Sequence, residues 1–429
     1  MINDFIIVGG GISGLYSALK LSDINPKKKI MVFEKNSFLG GRIHTINTKH
    51  NDIKYTYEAG AGRFSDNHKL LLNLIDRVGL SADIIPISSE RIPVVRGLAF
   101  SSRKDLYSKY SPNKNELLDI NYLIQLILCK SKDYDNMFLK KISMYDLSLM
   151  VLSSEASEFL LDSFGYNAEL LDTNAYDGVR MFNDGFSSKN NFFILKNGLS
   201  SLVKKIEIEL RERNIEVVLN SELIDYSVDK ESILTLVFKE KNNEVVHKVK
   251  NVILSIPKSY LMKLNGLKTI KKNINSVKGH SLNRIYAVYP IINNKVWFKD
   301  LPKITTNNPL QYIIPIDESK GVIMISYSDT LYADYWNQLN KNNRLNYFIK
   351  KNLNEIFPNI TIPVPLFIKS YYWKNGAHFF KKGADSEIIY RKMLKPFNYN
   401  LFILGECYSL KQAWIEGALE TVEDFLKII

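Results

Sequence analysis

The segment Val8-Gly9-Gly10-Gly11-Ile12-Ser13-Gly14 sets Gly9, Gly11 and Gly14 in the spacing G-x-G-x-x-G. Each glycine answers a separate steric demand. Gly9 permits a tight turn, Gly11 lets a pyrophosphate approach the backbone, and Gly14 lets the following helix pack closely on the strand. The diphosphate then meets a helix N-terminus around Ile12 and Ser13, where free N–H groups and the helix dipole favour anions. Glu34 stands 20 residues after Gly14, at the end of the next apolar run. An acid there hydrogen-bonds a ribose 2′-OH and repels a 2′-phosphate. These residues predict a dinucleotide site. They do not separate NAD from FAD.

Other chemistries lack their residues. The six histidines (His44, His50, His68, His247, His280, His378) show no metal-ligand spacing, so no metal site is expected. No G-x-S-x-G elbow is present, which removes that route to a serine nucleophile. Neither Cys129 nor Cys407 sits in a nucleophile motif, and two cysteines cannot frame a disulfide network in 429 residues, which fits a reducing compartment.

The elements that must position the glycines are legible as patterns. Phe5–Val8 and Ile30–Phe33 are short apolar runs of the buried parallel type, with helical spacing from Ser13 to Leu21 between them. That is a βαβ unit. A helix pattern from Leu70 to Val78 closes the segment. Between about Ile92 and Phe182 helical patterns dominate: Asn115–Lys130, Met144–Leu152 and Ser154–Phe164. Then come a helix over Gly198–Arg213, a strand at Ile215–Leu219, and a hairpin of Ile233–Phe238 with Val245–Val249 around Lys241-Asn242-Asn243. Val252–Ile256 reads as a separate buried strand, Ile285–Tyr289 and Val322–Tyr327 as further strands, Leu401–Leu404 as another buried strand, and Trp414–Lys427 as the closing helix. The expected fold is α/β: a discontinuous Rossmann-like nucleotide domain over residues 1–90, 191–262 and 395–429. An α+β substrate domain is expected at 91–190 and 263–394.

Hydrophobic residues at 45% and charged residues at 24% suit a folded chain with a sizeable core. The first strand begins near Asp4, leaving no room for a leader peptide, and no apolar stretch is long enough for a bilayer. A soluble, intracellular (cytoplasmic) protein is expected, with homo-oligomerisation left open. The net charge of +12 could hold the chain on nucleic acid or an acidic surface. No arginine-rich stripe accompanies it, and the excess is read as solvated surface.

The continuation after Glu34 separates the cofactors. Glu34-Lys35-Asn36-Ser37-Phe38-Leu39-Gly40-Gly41-Arg42 resembles the E-x(5)-G-G-R segment of the flavin-containing amine oxidoreductases, the monoamine oxidase family. Asn197-Gly198-Leu199, Leu219–Leu223, Val252–Pro257, Phe402–Glu406 and Trp414–Glu420 are similar to further segments of that family in the same order. The resemblance implies FAD, with Gly41 and Arg42 at the pyrophosphate, Lys35 beside Glu34, and Leu223 touching adenine through its backbone. Gly405 and Glu406 would lie by the ribityl and pyrophosphate, and Trp414, Ile415 and Ala418 would cover the flavin pyrimidine edge. Glu58-Ala59-Gly60-Ala61-Gly62-Arg63 resembles the G-x-x-R segment of L-amino-acid oxidases. There Gly60, Ala61 and Gly62 pass the flavin and Arg63 meets either a substrate carboxylate or the flavin itself.

On the reacting face the resemblance makes Trp414 one wall of an aromatic cage. His378 falls where the family commonly has tyrosine, and Arg284 where its oxidases place a lysine near flavin N5. Arginine stays protonated and cannot serve as a base. Ala377 stands where covalent members have cysteine, so non-covalent FAD is implied. The activity implied is hydride transfer from a small amine or L-amino acid to N5, imine hydrolysis to aldehyde or keto acid, and reoxidation by O2 giving H2O2. The alternatives are a flavin desaturase or porphyrinogen-type oxidase, and a non-catalytic FAD-binding structural protein.

Overall fold

The computed structural model describes residues 2–97, 103–113, 116–185, 190–241 and 243–429. The first apolar run forms the strand Ile2–Val8. Ile7 packs into one hydrophobic cluster while Ile6 and Val8 pack into another. A strand buried on both faces must be central. It lies between the parallel strands Asn243–Leu254 and Ile30–Phe33, and Glu216–Val218 extends the sheet beyond Ile30–Phe33. The helices Ile12–Ile24, Ser200–Glu212 and Ile415–Leu426 supply apolar side chains to the first cluster.

Two expected strands, Val245–Val249 and Val252–Ile256, are one strand, Asn243–Leu254. Its first part pairs antiparallel with Leu234–Glu240, up to Val249. From Val252 it pairs in parallel with Leu401–Ile403. The polar step Lys250-Asn251 marks the exchange of neighbours, and Asn251 Nδ2 donates to Asp4 O there (2.8 Å). A polar interruption in sequence is thus a change of partner, without a break in the strand. Of the hairpin turn, Asn242 lies outside the described residues.

The second sheet is mostly antiparallel, in the order Phe367–Phe380, Val277–Val288, Val322–Asp329, Tyr312–Asp317, Ile304–Thr305 and Ile92–Pro93. The helical segment before residue 185 has its own apolar cluster, including Leu123, Leu147, Phe159 and Phe182. Its helix expected over Asn115–Lys130 is observed at Ile120–Lys130, where Asp119 caps it by accepting the Tyr122 N–H (2.9 Å). Asn115 itself is outside the described residues. The chain is a mixed α/β protein. Among the described residues no helix is long and apolar enough to cross a membrane.

Candidate functional site

The parallel strands end on one side of the first sheet, where the crevice at carboxyl ends of strands commonly receives ligands. Gly9 follows Val8, Glu34 follows Phe33, Ser255 follows Leu254, and Gly405 follows Leu401–Ile403 by two residues. All four line a cavity of about 470 Å³. Gly9 has φ +109°, and a Cβ there would sit 2.4 Å from Ser255 O. At Gly14 a Cβ would sit 2.0 Å from Gly9 O, so this glycine lets helix and strand touch and does not line the cavity. A Cβ on Gly11 would meet nothing within 4 Å; that position faces open space. Gly11 caps the helix Ile12–Ile24 without a side-chain hydrogen bond. Its first-turn N–H groups are therefore left for an anion. These features fit a diphosphate at the glycine turn.

Glu34 is buried and accepts the N–H groups of Gly10 and Asn36 (both 2.8 Å). It therefore braces the turn as well as lining the cavity. Lys35 Nζ donates to Tyr260 Oη (2.6 Å) beside the same cavity. Ile12, Ser13, Gly41, Gly60, Ala61, Leu223, Trp414, Ile415 and Ala418 also line it.

Arg42, Glu406 and His378 form one network, buried at Glu406 and His378. Glu406 Oε1 accepts the His378 and Ala413 N–H groups (2.9 Å each). Its Oε2 accepts Arg42 Nη1 (2.6 Å) and faces His378 Nδ1 (3.0 Å). Arg42 Nη1 also donates to Gly376 O (3.1 Å). Burial would raise the Glu406 carboxyl, but Arg42 and His378 prevail and hold it well below the usual carboxylate range. Burial would likewise lower His378, yet Cys407 and Glu406 raise it to about 9.

This places His378 away from its expected position as a cage wall. Successive side chains of the strand Phe367–Phe380 face opposite sides. Ala377 and Phe379 line a second cavity, and His378, fully buried, points to Glu406.

The second cavity measures about 520 Å³ and shares Ala61, Leu282, Arg284, Tyr327 and Trp414 with the first. Trp414 is braced edge-on by His68 (ring centroids 4.8 Å) and stacks toward Phe192 (6.4 Å). Burial, then Lys411, lowers His68 to about 4. It is therefore neutral, and its Nδ1 accepts the Ser65 N–H (3.2 Å). Arg63 lies over Phe192 (4.6 Å) and lines the second cavity. Its guanidinium makes no hydrogen bond or ion pair among the described residues. Arg284 donates to Glu58 O (3.0 Å), lies over the Tyr327 ring (4.4 Å), and would be 2.9 Å from a Cβ on Gly62. Among the described residues no group of His, Cys, Asp and Glu could hold a metal ion.

Sequence reasoning missed Tyr166, Glu169, Lys303 and Tyr312, which also line the second cavity. None lies in a motif. Folding alone brings them to the cavity from the helical segment and the second sheet.

Residues 12–421 match the model of the flavin-containing amine oxidoreductases. The chain is 22% identical over 489 residues to "Uncharacterized protein R188" of Acanthamoeba polyphaga mimivirus, covering 99% of this chain and 93% of that one. It is 22% identical over 506 residues to achacin of Lissachatina fulica, with 98% and 92% covered. Over 100 residues it is 27% identical to the flavin-containing amine oxidase A of Equus caballus, which covers 23% of this chain and 18% of that one.

Proposed function

The chain belongs to the flavin-containing amine oxidoreductase family, and from that premise we propose that it holds FAD non-covalently and oxidises a small amine or L-amino acid. The nucleotide domain in this reading is the discontinuous one, residues 1–90, 191–262 and 395–429, with residues 91–190 and 263–394 closing over it. The diphosphate would take the uncapped N-terminus of helix Ile12–Ile24 and the Arg42 guanidinium. Ala377, lacking sulfur, can form no thioether to a flavin. Bound FAD supplies a hydride acceptor for converting amine to imine, which water then hydrolyses, with O2 as the terminal oxidant.

The protein's own part is orientation and exclusion of water. Trp414 and Tyr327 stand where the two cavities join, so a ligand entering the second cavity meets the cofactor site between aromatic faces. Arg284 is a fixed cation at that junction. It can hold a water or stabilise developing negative charge, and it cannot accept a proton. The unpaired cysteines, Cys129 and Cys407, suit a reducing compartment.

One observation carries the amino-acid side of the proposal. Arg63 presents to the second cavity, beside Trp414, a guanidinium that makes no hydrogen bond or ion pair among the described residues. A bidentate contact to a carboxylate would satisfy it and fix the α-carbon. The test is anaerobic mixing of the yellow protein with amino acids, polyamines and monoamines. Bleaching by amino acids is expected, and no bleaching by any of them would refute the reading.

A further inference from the structure

The second cavity is lined by a carboxyl group as well as by Arg63. Glu169, on the short helix Asn167–Leu171, lines it, and Glu169 Oε2 is buried without a hydrogen-bond partner among the described residues. The neighbouring acid Asp329 is satisfied, accepting the Ala168 N–H (2.8 Å) and the Gln311 side-chain amide (3.0 Å). Three tyrosines line the same region. Tyr166 lies 4.7 Å from Tyr312 and 5.4 Å from Tyr327, centroid to centroid, and the latter two are 6.3 Å apart. A carboxylate among aromatic faces is the arrangement that recognises an ammonium or guanidinium ion.

We propose that the cavity selects amino acids whose side chain ends in an ammonium or guanidinium group. Glu169 and the Tyr166–Tyr312–Tyr327 nest receive that end, and Arg63 receives the α-carboxylate. The proposal rests on the amine-oxidation reading for the orientation of the α-carbon.

The charges facing Glu169 set its pH behaviour. Burial, then Asp329, pushes its carboxyl up to about 8, against the opposing pull of Arg63 and Arg91. Tyr166 and Tyr312 complete its surroundings, and Lys303, which also lines the cavity, is brought down to about 8 by burial, then Arg63 and Arg91. The empty cavity therefore keeps Glu169 protonated near neutrality. An arriving cation displaces that proton to solvent, so its binding tightens as pH rises through the range around 8.

The test uses the flavin-loaded full chain, anaerobically, with L-lysine, L-arginine, L-norleucine and L-glutamate. The apparent Kd for lysine or arginine should be lower than for norleucine by roughly tenfold or more, and the gap should widen with pH. Glu169→Gln should remove the gap while leaving norleucine nearly unchanged. Norleucine or glutamate reacting as well as lysine and arginine would overturn the proposal, and so would equal losses for all four in the variant. The wild-type preference decides alone if the variant fails to fold. If no compound bleaches the flavin, the amine reading itself fails. Equilibrium titration of the flavin spectrum then decides the inference, and it is overturned if lysine and arginine bind no better than norleucine.

Discussion

Replacing Glu406 by glutamine asks whether one buried charge holds both the glycine-turn cavity and the wall of its neighbour. Glu406 is 5% exposed and faces four N–H groups: two backbone, one from Arg42 and one from His378. A glutamine oxygen can keep the two backbone donors, but its NH2 then meets the other two. The Arg42 side chain is 32% exposed and can turn to water; His378 is 0% exposed and cannot. The cost therefore falls on His378. Its rise from 6.5 to about 9, to which Cys407 contributes as well as Glu406, corresponds to about 3 kcal/mol in total, an upper bound on the share of Glu406. Breaking a buried pair by removing one partner costs about 3–5 kcal/mol, which agrees. The imidazole binds its proton more tightly in the folded chain than the unfolded, so this contribution is complete below pH 6.5 and fades as pH rises through about 9. Thermal unfolding followed by circular dichroism should show Glu406→Gln melting about 3 °C lower at roughly pH 6, with the gap narrowing toward roughly pH 9.5. Equal midpoints at the lower pH, or a gap indifferent to pH, would refute the reasoning.

Gly14→Ala puts a methyl 2.0 Å from Gly9 O; overpacking against backbone should cost about 3 kcal/mol or more, and the purified variant should be colourless. Acid precipitation of the native protein should leave all yellow colour in the supernatant, since Ala377 offers no sulfur; colour in the pellet would disprove non-covalent binding. Arg63→Lys keeps the charge and loses the fork, so the apparent Kd for amino acids in flavin bleaching should rise about tenfold or more while monoamines are unaffected. Trp414→Ala should weaken both substrate binding and flavin retention, because the indole lines both cavities.

Much of the glycine-turn cavity was legible because its constraints are local. Ile30–Phe33 reads as a buried strand since both its faces meet apolar clusters, and Gly9 and Gly14 are demanded by backbone within 2.4 Å of where a side chain would begin. Asn243–Leu254 defeated the reading because its polar middle records a change of neighbour, and partners are not written in a strand's own residues. Tyr166, Glu169, Lys303 and Tyr312 were invisible for a related reason. Their meeting depends on packing a helical segment against a distant sheet, and no spacing encodes it.

His378 shows the sharpest limit, because alternation in a strand turns an error of one residue into an error of face. The pairing of Val277–Val288 with Phe367–Phe380 is irregular between His280 and Leu282, opposite the segment that walls the cavity. That irregularity belongs to the pair of strands, so neither sequence alone predicts which parity faces inward. Once parity is set, its consequence is mechanical. Gly376 O receives Arg42, Ala377 and Phe379 face the second cavity, and His378 locks onto Glu406. The wall of one cavity and the arginine of the other are thus fastened through a single strand and a single carboxylate. A shift of that strand cannot alter the second cavity without also moving the arginine that lines the first.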